Sequence, residues 1–271
     1  MRVIGQVTSP GGQRLNEDRL GYAGRLAWVI DGATDLEKDV RLPAASDVQW
    51  LVDRLGERLT ELGSHTGKED VEGILRLLWE RTRDDIVALG FPEGRIHPTC
   101  SVGLLLLGDD RWELARIGDP TCLAFGSRTV ELSTDFFGRR EEQAVREGRD
   151  GGPDRRENRR GIIERRQQYI EGRLGESVFS GHPDARLVIQ SAKGSTREER
   201  HFLLCTDGFA RAVVDYGLYA GWSDLKRDSL RRGLPSVVES LRQHEGSASD
   251  VTGVSKHFKR SDDATALLIE T

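Results

Sequence analysis

Apolar positions follow two rhythms along the chain. Short, nearly continuous apolar runs recur at residues 3–7, 25–32, 100–107, 112–118, 121–125, 129–132, 186–190, 201–206 and 264–269. Gly, Asp, Pro and Ser punctuate them, so each reads as a buried strand. Residues 43–62 instead place Val48, Leu51, Val52, Leu55 and Leu59 on one helical stripe, and 71–89 do the same with Ile74, Leu75, Leu78, Ile86 and Leu89. Further helix is expected at 222–231 and 234–244, behind N-cap candidates Ser223 and Ser236. The four runs between 100 and 132 suggest an antiparallel meander. Strands, then a helix pair, then strands again predict a layered α+β fold with mostly antiparallel sheet.

Composition narrows the function classes. The 271 residues carry 40 Lys+Arg against 45 Asp+Glu, a net charge of −5. That balance, with a pI near 5.8, argues against a nucleic-acid partner. The longest apolar run, 102–107, is far shorter than a membrane span. Residues 1–13 lack an apolar signal core, so a cytoplasmic protein is expected. The three cysteines, Cys100, Cys122 and Cys205, show no Cys-x-x-Cys spacing and read as reduced, buried thiols. The six histidines lack the spacing of a zinc site. Length alone allows one large domain or two small ones.

One segment departs from the rest. Residues 139–173 hold eleven Arg against eight acids, interrupted by Gly151-Gly152-Pro153. This reads either as a solvated insertion or as a basic flap that meets an anionic substrate.

Candidate chemistry lies in carboxylates at strand ends. Glu17-Asp18 follows a turn, Asp31-Gly32 closes one apolar run, and Asp119 follows Gly118 after another. Asp207-Gly208 ends a third run, and Asp262-Asp263 precedes the last. An acid just past a buried strand is fixed by the sheet yet open at its rim. Should these ends meet, the acids would repel one another unless cations neutralised them. Oxygen-only donors suit hard ions such as Mg²⁺ or Mn²⁺. Any single Asp-Gly is an ordinary turn.

The ordered set Asn16-Glu17-Asp18-Arg19, Trp28-Val29-Ile30-Asp31-Gly32, Pro98-Thr99-Cys100-Ser101-Val102, Ala115-Arg116-Ile117-Gly118-Asp119, Leu203-Leu204-Cys205-Thr206-Asp207-Gly208-Phe209 and Asp262-Asp263-Ala264-Thr265 resembles the metal-dependent protein phosphatase family, type 2C, in its bacterial form. The motifs stand in the family's order and span nearly the whole chain. The resemblance implies a two-layer antiparallel β-sandwich flanked by helix pairs, forming one domain over 1–271 with an Arg-rich flap at about 136–190. It implies two Mn²⁺ or Mg²⁺ ions and hydrolysis of phosphoserine and phosphothreonine in proteins, opposing a Ser/Thr kinase. Asp31 would bridge the ions and the Gly32 carbonyl would bind one of them. Glu17 would bind through water, with Asp18 behind it. Asp207 and Asp262 would hold the other ion. No cysteine nucleophile is needed for such a mechanism.

Three departures from the family pattern matter. The Arg that holds substrate phosphate is displaced: Gln13 stands at its place and Arg14 one residue on, so Arg14 is the candidate. Asp119 matches one ligand of a third metal, but Arg211 stands where its partner acid would be. The resemblance therefore implies two ions, with Arg211 replacing a third or binding phosphate itself. Asp263 stands where the family has Asn and is expected behind the ligands. Rival readings are a small-molecule phosphomonoesterase and a catalytically weak regulatory module on the same fold. Oligomeric state is open.

Overall fold

The computed structural model describes residues 1–12, 15–36, 39–64, 69–146, 156–247 and 261–271. Two five-stranded antiparallel sheets pack face to face. One runs β1 (Arg2–Ser9), β10 (Ala264–Glu270), β9 (His201–Cys205), β6 (Thr121–Phe125), β7 (Thr129–Leu132). The other runs β2 (Arg19–Ala23), β3 (Leu26–Gly32), β4 (Cys100–Leu107), β5 (Arg111–Ile117), β8 (Gln190–Ser195). Ala27, Val29, Leu105 and Leu114 of the second meet Cys122, Phe202, Leu204 and Leu267 of the first in the inner core. The outer face of the β3 sheet, with Trp28 and Ile30, is covered by α1 (Asp47–Ser64) and α2 (Val71–Ala88). The outer face of the β9 sheet, with Leu203 and Leu268, is covered by α5 (Asp207–Val214), α6 (Trp222–Arg232) and α7 (Leu234–Ser247). This four-layer order explains the apolar runs. Central strands covered on both faces need apolar side chains in both directions, so they lose the alternation of a half-exposed strand.

The structure corrects four sequence expectations. The strands between 100 and 132 are not one meander: β4 and β5 pair in one sheet, whereas β6 and β7 belong to the other. The crossing is made at Gly118, whose φ of 83° favours glycine. A methyl group there would stand 2.1 Å from Ser101 Oγ. The run at 186–190 is not a strand; Leu187 and Ile189 pack on the helix-covered core as irregular chain, and the edge strand β8 follows with a polar sequence. Ser223 and Ser236 are not N-caps. Gly221 precedes α6, and Ser236 lies inside α7, donating to the Gly233 carbonyl at 2.8 Å. Asp207 does not merely end a strand: it opens α5 directly after Thr206.

The Arg-rich segment contains two helices, α3 (Phe136–Arg146) and α4 (Arg156–Ile170). Phe136, Phe137 and Tyr169 hold them together, with the Phe137 and Tyr169 ring centres 5.0 Å apart. The chain then returns to the sheet, where Phe179 and Cys100 exchange backbone hydrogen bonds of 2.8 and 3.0 Å. Arg116 of β5 locks this return. It is buried and forms a two-pronged pair with Glu176, at 2.9 and 3.2 Å. It also donates to the carbonyls of Gly118 and Ser133.

Removing one member of a buried pair strands the other charge. Glu176→Ala should therefore lower stability by about 3–5 kcal/mol, read from the urea midpoint. A loss below about 1 kcal/mol would show that this pair is solvated like a surface one.

Candidate metal centre at the seam of the two sheets

Both sheets contribute acids to one rim. Asp31 and Gly32 end β3, and Glu17-Asp18 lead into β2. Asp207 opens α5 after β9, Asp262 precedes β10, and Asp119 sits in the corner between β5 and β6. Asp31 feels the charges of Asp18, Asp207, Asp119 and Asp262 together. The structure thus places Asp18, Asp31, Asp119, Asp207 and Asp262 within one another's field.

Each acid is held by a local device. Asn16 Oδ1 accepts the Asp18 N–H at 2.8 Å, an Asx turn that sets the Glu17-Asp18 bend. Thr206 Oγ1 donates to Asp18 Oδ2 at 2.9 Å and accepts the Thr265 N–H at 3.0 Å, tying three segments together. Ser101 Oγ donates to Asp119 Oδ1 at 2.7 Å. Gly32 is buried against the Glu17 backbone, and a methyl group there would stand 2.7 Å from the Glu17 carbonyl oxygen. Asp207 lies in the first turn of α5, where the helix dipole favours an anion.

Electrostatics show what this crowding costs. Burial, followed by the charges of Asp18, Asp207, Asp119 and Asp262, pushes Asp31 well above the usual carboxylate range. Burial does the same to Asp18, opposed by the Thr206 hydroxyl, and raises Asp207 as well. Asp119 rises to about 7, mainly through burial. Among the described residues, one oxygen of the buried Asp18, Oδ1, finds no hydrogen-bond partner. An all-oxygen, mutually repelling donor set with an orphaned buried oxygen fits hard divalent cations such as Mn²⁺ or Mg²⁺. Among the described residues, no three His, Cys, Asp or Glu side chains converge tightly enough to grip an ion as they stand. The fit therefore rests on donor chemistry.

Arg211 is buried in the cluster. Its Nη2 stands 3.1 Å from Asp262 Oδ2, and Asp207 and Asp262 hold its charge in place. Asp263 has a local reason to be a carboxylate. Its two oxygens accept the N–H groups of Gly11 and Glu17, each at 2.8 Å. A carboxylate can take both donors, whereas an Asn amide would turn its NH₂ toward one of them. Arg14 and Gln13 lie outside the described residues.

Sequence reasoning missed two cations. Arg242 of α7 donates to the carbonyls of Ser9, at 3.1 Å, and Asp262, at 2.8 Å, bracing the entry to β10. Arg166 of α4 donates to the Thr34 carbonyl at 2.9 Å, within the field of Asp35 and Glu17. Composition marked only the flap's arginine excess, and nothing in the pattern separates Arg166 from its neighbours. Cys122 and Cys205 each precede an arginine by six residues, Arg128 and Arg211, which is the spacing of cysteine-dependent phosphatases. Both thiols are buried within strands, and burial pushes Cys122 up to about 12 and Cys205 well above its usual value. Nucleophilic thiols need the opposite shift.

Two antiparallel sheets faced by helices, with acids at the seam, define the fold of the type 2C protein phosphatases. The Mycobacterium tuberculosis serine/threonine phosphatase PstP/Ppp is similar over 98% of this chain and 96% of its own, with a TM-score of 0.59 and 15% identity. The catalytic domain of PstP in complex with two manganese ions matches over 98% and 96%, with a TM-score of 0.57 and 17% identity. Stp1 from Staphylococcus aureus matches over 100% and 96%, with a TM-score of 0.57 and 13% identity. No family model matches the chain, and no curated protein matches it in sequence.

Two predictions follow from this geometry. Asp119 has a folded-state pKa near 7 against 3.8 for the free side chain. Its folded form binds protons more tightly, so its contribution to stability is complete below about pH 4 and lost as pH rises through about 7. Protein kept in EDTA should accordingly lose stability between those values in denaturant titrations, and Asp119→Asn should flatten the loss. Asp263→Ala, which removes the acceptor of two backbone N–H groups, should cost about 2 kcal/mol in the same assay. Asp263→Asn should fall between it and the wild type.

Proposed function

We propose that this chain is a cytoplasmic, Mn²⁺- or Mg²⁺-dependent phosphatase that removes phosphate from serine and threonine in proteins and opposes a Ser/Thr kinase. One observation carries the reading: strand-end acids from both sheets meet at a single rim, on a fold shared with Ser/Thr phosphatases. Asp31, Asp207 and Asp262, with Glu17, Asp18 and the Gly32 carbonyl, would hold two ions. Bound there, such ions supply charge neutralisation for phosphoryl oxygens and a water acidified toward neutral pH. The chain's own part is positional. Asp263 fixes the loop that carries Glu17, and Thr206 fixes Asp18. Arg242 fixes the backbone at Asp262, and Arg211 keeps a permanent cation beside Asp207 and Asp262 in place of a third ion. No helix among the described residues is long and apolar enough to cross a membrane.

The Arg211–Asp262 pair also favours a second reading. It engages a carboxylate oxygen that an ion would use, as in a module that recognises phosphoprotein without turning it over. Hydrolysis of p-nitrophenyl phosphate and of a phosphothreonine peptide, with Mn²⁺, Mg²⁺ or EDTA, separates the two. The enzyme reading expects turnover that EDTA abolishes and that Asp207→Ala lowers by about 10³-fold or more, on the scale of removing a charge-stabilising catalytic group. Mn²⁺ at a hundred times its Kd should also stabilise the wild type by about 2.7 kcal/mol. Binding of the phosphothreonine peptide without turnover and without stabilisation by Mn²⁺ would favour the module, and neither turnover nor peptide binding would sink both readings.

A further inference from the structure

The cluster described above presents a problem for its own substrate. A phosphate monoester is an anion, and the rim it must approach is built of carboxylates. Bound ions would offset that charge, and an arginine on the open side would add a planar fork of donors that orients the phosphate. Arg211 is poorly placed for this, because it is buried and its guanidinium faces Asp207 and Asp262. Arg242 is directed at the Ser9 and Asp262 carbonyls and at Glu245. Arg116 is closed off by Glu176, Gly118 and Ser133.

Arg166 differs from all three. It lies on α4 of the flap, is partly exposed, and reaches the loop that leaves β3 two residues beyond Gly32. Among the described residues its one hydrogen bond goes to the Thr34 carbonyl, at 2.9 Å. A guanidinium carries five N–H donors in a planar fork, so one bond leaves most of the fork for another acceptor. The charges of Asp35 and Glu17 act on it and favour its protonated form. Burial lowers its pKa to about 10, which still leaves it charged at neutral pH. Asp35 is committed elsewhere, accepting the Asp47 N–H at 3.0 Å at the start of α1. That contact stiffens the loop against which Arg166 rests.

We propose that Arg166 is a phosphate-binding arginine of this site, in addition to any part played by Arg14: the Thr34 carbonyl holds its guanidinium at the rim, and the rest of the fork takes two phosphoryl oxygens of the substrate. The flap would then be part of the phosphate subsite itself, and the group bound is the dianionic phosphate shared by phosphoserine, phosphothreonine and inorganic phosphate. This rests on the phosphatase reading for its substrate, but phosphate binding can be measured without turnover.

The test uses the full chain with Mn²⁺, comparing Arg166→Ala, Arg166→Lys and, as a control, Arg165→Ala, whose Nε bonds only within α4, to the Gly161 carbonyl. Inorganic phosphate is the probe, as a competitive inhibitor of p-nitrophenyl phosphate hydrolysis and by calorimetry. Losing charge-assisted hydrogen bonds should weaken phosphate about 10–100-fold in Arg166→Ala. KM for the aryl phosphate should rise in step, with Mn²⁺ affinity kept within about twofold. Lysine, a point charge without the fork, should restore only part of the loss. Arg165→Ala should match the wild type. Phosphate affinity unchanged in Arg166→Ala overturns the proposal. So does a variant that alters Mn²⁺ affinity and leaves phosphate alone, because Arg166 would then serve only to balance Glu17 and Asp35. If the alanine variant fails to fold, the lysine variant decides: full wild-type phosphate affinity counts against the fork. If the wild type hydrolyses nothing, calorimetry still decides. Weaker phosphate binding in the variants supports the subsite, whereas equal or absent binding in all proteins refutes it.

Discussion

The burial of several carboxylates at the seam of the two sheets, compounded by their mutual repulsion, governs this molecule. Two unit charges about 4 Å apart near a protein surface interact by about 4 kcal/mol. A whole domain is stable by only about 5–15 kcal/mol. Several such contacts left unbalanced would be comparable with the entire stability of the fold. The chain responds with many small devices: the hydroxyls of Thr206 and Ser101 on Asp18 and Asp119, two backbone N–H groups on Asp263, and the Arg211 guanidinium beside Asp207 and Asp262. None of these neutralises Asp31, which the other acids surround. The strongest unmet demand for positive charge therefore lies at the end of β3, where the two sheets face each other.

The acids arrive at that place because of the apolar runs. Strands such as β3, β4, β9 and β10 are buried on both faces, so polar residues are admitted only where a strand ends. The antiparallel registers bring several ends to one rim: Asp31 pairs with Ser101 across β3 and β4, and Ser101 reaches Asp119 at the next corner. Thr206 and Thr265 hold β9 and β10 together one residue before Asp207 and two after Asp263. This is why so much of the site was legible in the sequence. An acid abutting a two-sided apolar run has few places to go.

What the sequence hid is equally physical. The passage from β5 to β6 looks like a hairpin, because a run of strands separated by Gly, Asp and Pro has the same pattern whether the chain turns back or changes sheet. The polar edge strand β8 has no apolar signature, whereas the apolar residues before it pack without forming a strand. The flap helices are stabilised by three aromatic residues brought together from 136, 137 and 169, a contact that no local period records. Arg166 was invisible for the same reason. Its role depends on where α4 lies over the Thr34 loop, and one arginine among eleven carries no mark of that.

Anions and cations thus come from different parts of the architecture. Apart from Asp207, which opens α5, the acids stand at or beside strand ends, fixed by registers that cannot slip without turning apolar side chains to the wrong face. The balancing arginines stand on helices: Arg211 on α5, Arg242 on α7 and Arg166 on α4. A helix laid on the outside of a sandwich can shift, or exchange one residue, without disturbing the core register. Charge balance at such a site can therefore be re-tuned through its helices while the strand-end acids stay in place. The arginine at 211, on α5, fits that division. It stands beside Asp207 and Asp262 without displacing the strands that carry Asp31 and Asp262.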